Sequence, residues 1–189
     1  MIKAIVFDCF GVLATEAWRP FKAKYFGHDP ELFARASNVS WQADRGLMSY
    51  DDFIHTVAKM AGITPAEAIA YIARNVPDEH LFAYITELKV NYKLGLLSNV
   101  AGDYMHRIFT ASQLALFDVI ELSFESGFIK PEKEAFAIIA KRLRVGLDEC
   151  LFVDDQQRNI DGAQTAGMTA VLYHSAAQLR QELEPLLKT

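Results

Sequence analysis

Six polar side chains sit at the ends of apolar runs or in the loops just beyond them. Asp8 lies within "IVFDCFGVL" (5–13), Ser98 and Asn99 close "KLGLLSN", Lys130 lies in "FIKPEKEAF", and Asp154 with Asp155 closes "CLFVDD". A carboxylate, a lysine and a carboxylate pair in one pocket would suit phosphoryl transfer. That chemistry needs an in-line nucleophile and dense positive charge around the equatorial oxygens. One lysine and a Mg²⁺ would supply the charge, because Mg²⁺ prefers carboxylate oxygens and keeps several waters. Three converging carboxylates would also repel one another unless a cation sat among them.

Each residue has a plainer use as well. Asp8 is suited to capping a turn, Ser98 and Asn99 to capping a helix that begins near Ala101, and Lys130 to an ordinary surface. Asn159 could support the Asp155 loop. Arg45, beside Gly46, has the charge and reach to meet a substrate anion or to lie in solvent. Cys9 next to Asp8 invites thiol chemistry, but the Cys-x₅-Arg arrangement this needs fails at Thr15. Cys9 therefore reads as a small buried side chain. The histidines have no metal-ligand spacing.

Whether the six residues meet depends on the elements between them. Ala4–Phe7, Lys93–Ser98, Asp118–Ser123, Cys150–Asp155 and Thr169–Tyr173 are short apolar runs bounded by turn signals, and they read as buried strands. "PEKEAFAIIAKRLRV" places Pro131 at a first helical position and ends in Lys and Arg. "NIDGAQTAGM" (159–168) reads as a helix with Gly167 as its C-terminal cap. Strands alternating with helices imply a parallel sheet covered on both faces.

The stretch 14–85 breaks this alternation. "PELFARASNVSWQADRG", "SYDDFIHTVAKMAG" and "TPAEAIAYIARNV" each read as amphipathic helix, with Thr64-Pro65 as a start signal. Trp18, Phe21, Tyr25, Phe26 and Trp41 are predicted to form the core of this insertion. The predicted architecture is a doubly wound, Rossmann-like α/β core over 1–13 and 86–189, with a small helical cap over 14–85 inserted after the first strand. Ligands in open parallel sheets bind beyond the carboxyl ends of the strands, near the switch in strand order. Those are the ends at which the polar residues gather.

The totals narrow the classes. The chain has 189 residues, 51% of them hydrophobic and 23% charged, which is a globular composition. A net charge of −5 argues against a nucleic-acid binder. It says little about small anionic substrates, because a pocket can oppose the global sign. Only two cysteines are present, Cys9 and Cys150, which suits a reducing compartment rather than a disulfide framework. The N-terminus lacks the pattern of a signal peptide, and no stretch approaches a membrane span. The expected setting is cytoplasmic, and the sequence carries no signal of oligomeric state.

"FDCFGVL", "LLSN", "FIKPEKEAF" and "FVDDQQRNIDGAQTAGM" fall in the order and approximate spacing of the four motifs of the haloacid dehalogenase-like hydrolase superfamily, which the chain resembles over nearly its whole length. Within it, "ADRGLMSYDDF" in the cap is similar to a segment of the α-glucose-1-phosphate phosphatase branch. The resemblance implies Asp8 as nucleophile, forming an acyl-phosphate that water hydrolyses. Ser98 and Asn99 would bind phosphoryl oxygens, and Lys130 would hold the phosphate and Asp8 together. Asp8, Asp155, the Phe10 backbone carbonyl and, through water, Asp154 would hold Mg²⁺.

Phe10 departs from the commoner pattern, in which a second Asp two residues after the nucleophile protonates the leaving oxygen. Such a group is worth about 10²–10⁴ in rate. A leaving group that needs little help would tolerate its loss. The 2-haloacid dehalogenases of the superfamily also carry an aromatic here and use no metal. The adjacent Asp154 and Asp155 favour metal and phosphate. The readings are thus a Mg²⁺-dependent hydrolase of small phosphate monoesters, such as a sugar phosphate, then a dehalogenase or a non-catalytic binder of phosphorylated ligands.

Overall fold

The computed structural model describes residues 1–187. In chain order the strands are β1 (Ala4–Phe7), β2 (Lys93–Ser98), β3 (Val119–Leu122), β4 (Cys150–Asp154) and β5 (Thr169–Leu172). They form one parallel sheet of order β3-β2-β1-β4-β5. Between β1 and β2 lie helices α1 (Trp18–Phe26), α2 (Pro30–Asp44), α3 (Tyr50–Ala61), α4 (Pro65–Ile72) and α5 (Glu79–Leu88). Two short helices flank β3, α6 (Ala111–Leu114) before it and α7 (Ser123–Ser126) after it. Helices α8 (Lys133–Leu143), α9 (Gln157–Ala166) and α10 (Ala176–Leu187) follow.

The two-residue period of a strand sends successive side chains to opposite faces. In β1, Ile5 and Phe7 join Leu81 and Ile85 of α5 and Leu179 and Leu183 of α10 on one face. Ala4 and Val6 join Phe136 and Ile139 of α8 and Ile160 and Ala163 of α9 on the other. Full burial of a Val, Leu, Ile or Phe side chain is worth about 1.5–3 kcal/mol, so a strand apolar at every position is stable only between two helical layers. The sheet is therefore doubly wound, as the sequence pattern predicts. Strand order reverses between β1 and β4, which places the switch point beside Asp8 and Asp154.

The cap helices pack around their own cluster, which includes Phe21, Phe26, Phe53, Ile54, Val57 and Ile72. Local signals set their ends. Asp29 caps α2 by accepting from the Glu31 and Leu32 amides, Thr64 and Glu67 form a capping box on α4, and Gly62 ends α3 in the left-handed region. The two chain crossings between cap and sheet run side by side. Thr15 N–H donates to Val76 O at 3.0 Å, and Asp78 N–H donates to Leu13 O at 2.9 Å. Leu81, Phe82, Ile85 and Leu88 of α5 are buried with the sheet rather than with the cap. We propose that cap and core divide at these paired linkers, so that the cap ends near Pro77 rather than at Ile85.

Three local expectations are corrected. Trp41 is 53% exposed and lines a cavity instead of filling the cap core. The helix expected to begin at Pro131 begins at Lys133, with Glu132 as its N-cap residue. No helix begins at Ala101, where the chain turns through bends into a short 3₁₀ segment at Met105–Arg107.

Candidate active site

Asp8 follows the last residue of β1 and is tied to β4 by its amide, which donates to Val153 O at 2.9 Å. It is only 4% exposed. Lys130 is 2% exposed, and its ammonium makes three contacts that match its three donors. These run to Asp8 Oδ1 at 2.5 Å, Asp154 Oδ2 at 2.9 Å and Leu97 O at 2.9 Å. Burial works to lower Lys130, and Asp154 and Asp8 outweigh it, so its affinity for the proton is raised. Asp8 is raised, first by burial and then by repulsion from Asp154 and Asp155, against the pull of Lys130.

Asn99 holds Lys130 in place through the backbone. Its Nδ2 donates to Lys130 O at 3.0 Å, and its Oδ1 accepts from Lys130 N at 2.9 Å. This clamp positions the lysine, and Asn99, which also lines the cavity, keeps a second amide N–H beyond it. The Ser98 hydroxyl is fully buried and has no hydrogen-bond partner among the described residues.

The two adjacent carboxylates differ. Asp154 is fully enclosed, and both its oxygens accept from protein groups. Oδ1 accepts from Gln156 N at 2.8 Å, Oδ2 accepts from Lys130, and Asn159 Nδ2 lies 3.0 Å from each. Asn159 thus supports Asp154 rather than Asp155. In Asp155, Oδ2 accepts from Arg19 Nη2 at 2.5 Å, while Oδ1 is buried without a partner among the described residues. Oxygens of Asp8, Asp154 and Asp155 all lie within 4.8 Å of one another. A buried carboxylate oxygen without a donor is costly, and three clustered carboxylates are an oxygen set that fits Mg²⁺.

Gly11 allows this crowding. Its φ is +94°, and a Cβ there would lie 2.4 Å from Asp155 Oδ2. Gly11→Ala is expected to destabilise the fold by about 1–3 kcal/mol. By displacing Asp155 it should lower turnover by about 10²-fold. A melt and a steady-state assay of the same variant would check both, and unchanged turnover would refute the close approach.

Asp8, Phe10, Asn99 and Lys130 open onto a cavity of about 440 Å³ roofed by the cap. Phe10 packs near Tyr104, with ring centroids 6.3 Å apart. Cys9 lies beneath, its Sγ 3.8 Å from Met105 Sδ. Burial foremost, and then Asp8, push its thiol well up, so it is no nucleophile at neutral pH.

Arg45 does not face this cavity. Helix α2 ends at Asp44, and the Arg45 guanidinium turns to Glu132 and to Gly127 O. The structure therefore does not bring it to the cavity with the other predicted site residues. Arg45 fastens the cap to the loop before α8. Its neighbour Asp44 lines the cavity with Ser37, Ser40 and Trp41. The spacing 37, 40, 41, 44 marks one face of a helix, a signal available in the sequence. Arg19, from the first turn of α1, also lines the cavity and had no motif to mark it.

The family model for haloacid dehalogenase-like hydrolases matches residues 2–167. The sesquiterpene phosphatase astK of Aspergillus oryzae is 27% identical over 98% of this chain and 96% of its own length. A D-ribitol-5-phosphate phosphatase of Bacteroides thetaiotaomicron is 29% identical, with both chains covered in full. A crystal structure of a family enzyme from Bacteroides thetaiotaomicron, in complex with magnesium and inorganic phosphate, superposes with a TM-score of 0.75 at 22% identity. That match covers 92% of this chain and 95% of the other.

Proposed function

Because this chain belongs to the haloacid dehalogenase-like hydrolase family, we propose that it hydrolyses small phosphate monoesters with Mg²⁺ through an aspartyl-phosphate on Asp8. The observation that carries this reading is the cluster of Asp8, Lys130, Asp154 and Asp155, with a buried Asp155 oxygen that no protein donor meets. The phosphatases among its relatives support the same reaction class.

In this reading Asp8 attacks phosphorus and Lys130 orients both the nucleophile and the phosphoryl oxygens. The buried Ser98 hydroxyl supplies a further donor. Asp8, Asp155 and the backbone carbonyl of Phe10 hold Mg²⁺, whose charge stabilises the equatorial oxygens when it is bound. Asp154, its oxygens already engaged, holds Lys130 and meets the metal only through water. The cap closes over the pocket and selects the substrate.

A cavity of about 440 Å³ suits a small phosphorylated molecule such as a sugar phosphate. The "ADRGLMSYDDF" segment, similar to one of the α-glucose-1-phosphate phosphatase branch, supports including a sugar phosphate among the candidate substrates. No helix among the described residues is long and apolar enough to cross a membrane. A cytoplasmic setting fits two cysteines that are both free and buried.

The test is phosphate release from a panel of sugar and aryl phosphates, including glucose 1-phosphate, in Mg²⁺ and in EDTA. Turnover in Mg²⁺ that EDTA abolishes is the expected result. Halide release from 2-chloropropionate that persists in EDTA would replace this reading with dehalogenation. No release from any ester would leave a binder of phosphorylated ligands.

A further inference from the structure

Phe10 occupies the position from which a second carboxyl would serve the leaving oxygen, and a phenyl ring neither gives nor takes a proton. Besides the cations Arg19, Lys22 and Arg158, three acidic side chains not yet assigned a part in the chemistry line the same cavity: Glu16, Asp44 and Tyr104. Glu16 is already engaged. Its oxygens accept from Arg19 N at 3.0 and 2.9 Å and pair with Arg19 Nε at 3.1 Å, which fixes the start of α1. Burial above all holds the Tyr104 hydroxyl well above the ordinary phenol range, which makes it a poor donor.

Asp44 differs from both. Its carboxyl has one long contact, from Ser40 Oγ at 3.4 Å, and no ion pair among the described residues. Burial pushes it up to about 7, against the weaker pulls of Ser40 and Arg158, so both its protonated and ionised forms are present near neutral pH.

Asp44 is also tied by its backbone to the catalytic loops. Its carbonyl accepts from Ser123 Oγ at 2.5 Å, and that same oxygen accepts from Val100 N at 3.0 Å. Val100 follows Asn99, the residue that clamps Lys130. The next residue, Arg45, is paired with Glu132. Gly46 then passes so close to α7 that a Cβ would lie 2.3 Å from Phe124 O. Three successive residues of the cap are thus seated on the core, and the first of them turns its carboxyl into the cavity.

We infer that Asp44 is the acid and base of this site, delivered from the cap in place of the group absent at Phe10. The inference rests on the phosphatase reading. As the Asp8 oxygen bonds to phosphorus, the bond from phosphorus to the ester oxygen breaks, and the Asp44 carboxyl gives its proton to that oxygen. Alcohol leaves, and Asp44 is a carboxylate. Water then attacks phosphorus, its proton passes to Asp44, and the acyl-phosphate bond breaks. Inorganic phosphate is released, and both aspartates return to their starting forms.

The experiment compares wild type with Asp44→Asn in Mg²⁺ on 4-nitrophenyl phosphate and on the fastest sugar phosphate of the panel. For the sugar phosphate, kcat/KM is expected to fall about 10²–10⁴-fold. For the aryl ester, whose leaving group needs no proton, kcat/KM should fall by less than about tenfold. The aryl ester should also show a burst of nitrophenolate, because the second step has lost its base. Asp44→Glu should restore part of the sugar-phosphate rate. Equal losses on both esters, or none on either, would overturn the assignment while leaving the phosphatase reading intact. A wild type that hydrolyses neither ester would overturn both, and one that hydrolyses aryl esters alone would overturn this one.

Folding can be checked by a melt at pH 8. A raised carboxyl holds its proton more tightly folded than unfolded, so its contribution to stability is lost as pH rises through about 7. Asn carries no such loss, and the variant should melt no lower than wild type.

Discussion

Asp8→Asn is expected to lower phosphate release by at least about 10⁴-fold, because the proposed nucleophile is gone. The protein should stay folded. An Asn Oδ1 can still accept from Lys130, which keeps its contacts with Asp154 and Leu97 O. The change also removes one of three crowded carboxylates. Burial, and then Asp154 and Asp155, raise Asp8 above its ordinary value. A raised carboxyl costs stability once pH exceeds its unfolded value, so the neutral Asn should not lower the melting temperature at pH 8. One oxygen ligand for Mg²⁺ is lost, so the metal-dependent rise in melting temperature should shrink. Phosphate release, and melts with and without Mg²⁺, measure all three. Turnover within tenfold of wild type would show that Asp8 is not the nucleophile.

Sequence spacing reached the strands more readily than the cap. Each strand of the sheet is a short run apolar at nearly every position, which only a doubly covered strand tolerates, so Lys93–Ser98 was readable to the residue. Asp8 and Asp155 could be paired because the ends of such strands lie side by side in a parallel sheet, whereas Lys130, in a loop, was marked by the order of the motifs. Asn99 was placed at the site, but its clamp on Lys130 was missed. Its amide matches the Lys130 backbone, a contact 31 residues away that no local pattern encodes.

The cap was harder because direction matters there more than position. Arg45 and Asp44 are adjacent, yet α2 ends between them, and the chain turns the arginine outward to Glu132 and leaves the aspartate facing the cavity. Arg19 reaches Asp155 across 136 residues. Nothing local in the sequence marks that Leu81 and Ile85 of α5 pack in the same cluster as the sheet.

Lys130→Met is expected to cost stability as well as activity. Removing one partner of a buried pair costs about 3–5 kcal/mol, because the remaining charge has neither water nor counter-charge. Here two carboxylates, Asp8 and Asp154, would share an enclosed space without the ammonium that lies within 2.9 Å of each. Arg is no substitute, since a planar fork cannot make the three contacts of a compact ammonium. The loss should depend on pH in a definite direction. Without Lys130 the carboxylates bind protons more tightly folded than unfolded, so the variant's deficit should be smaller at pH 5 and grow towards pH 8. Mg²⁺ should recover part of it, because a cation bound only by the folded state stabilises that state. Urea unfolding of wild type and Lys130→Met at both pH values, with and without Mg²⁺, reads these effects. A deficit below about 1 kcal/mol at pH 8 would show that the ammonium does not hold the carboxylates together. A deficit that shrinks with rising pH would reverse the electrostatic account of the site.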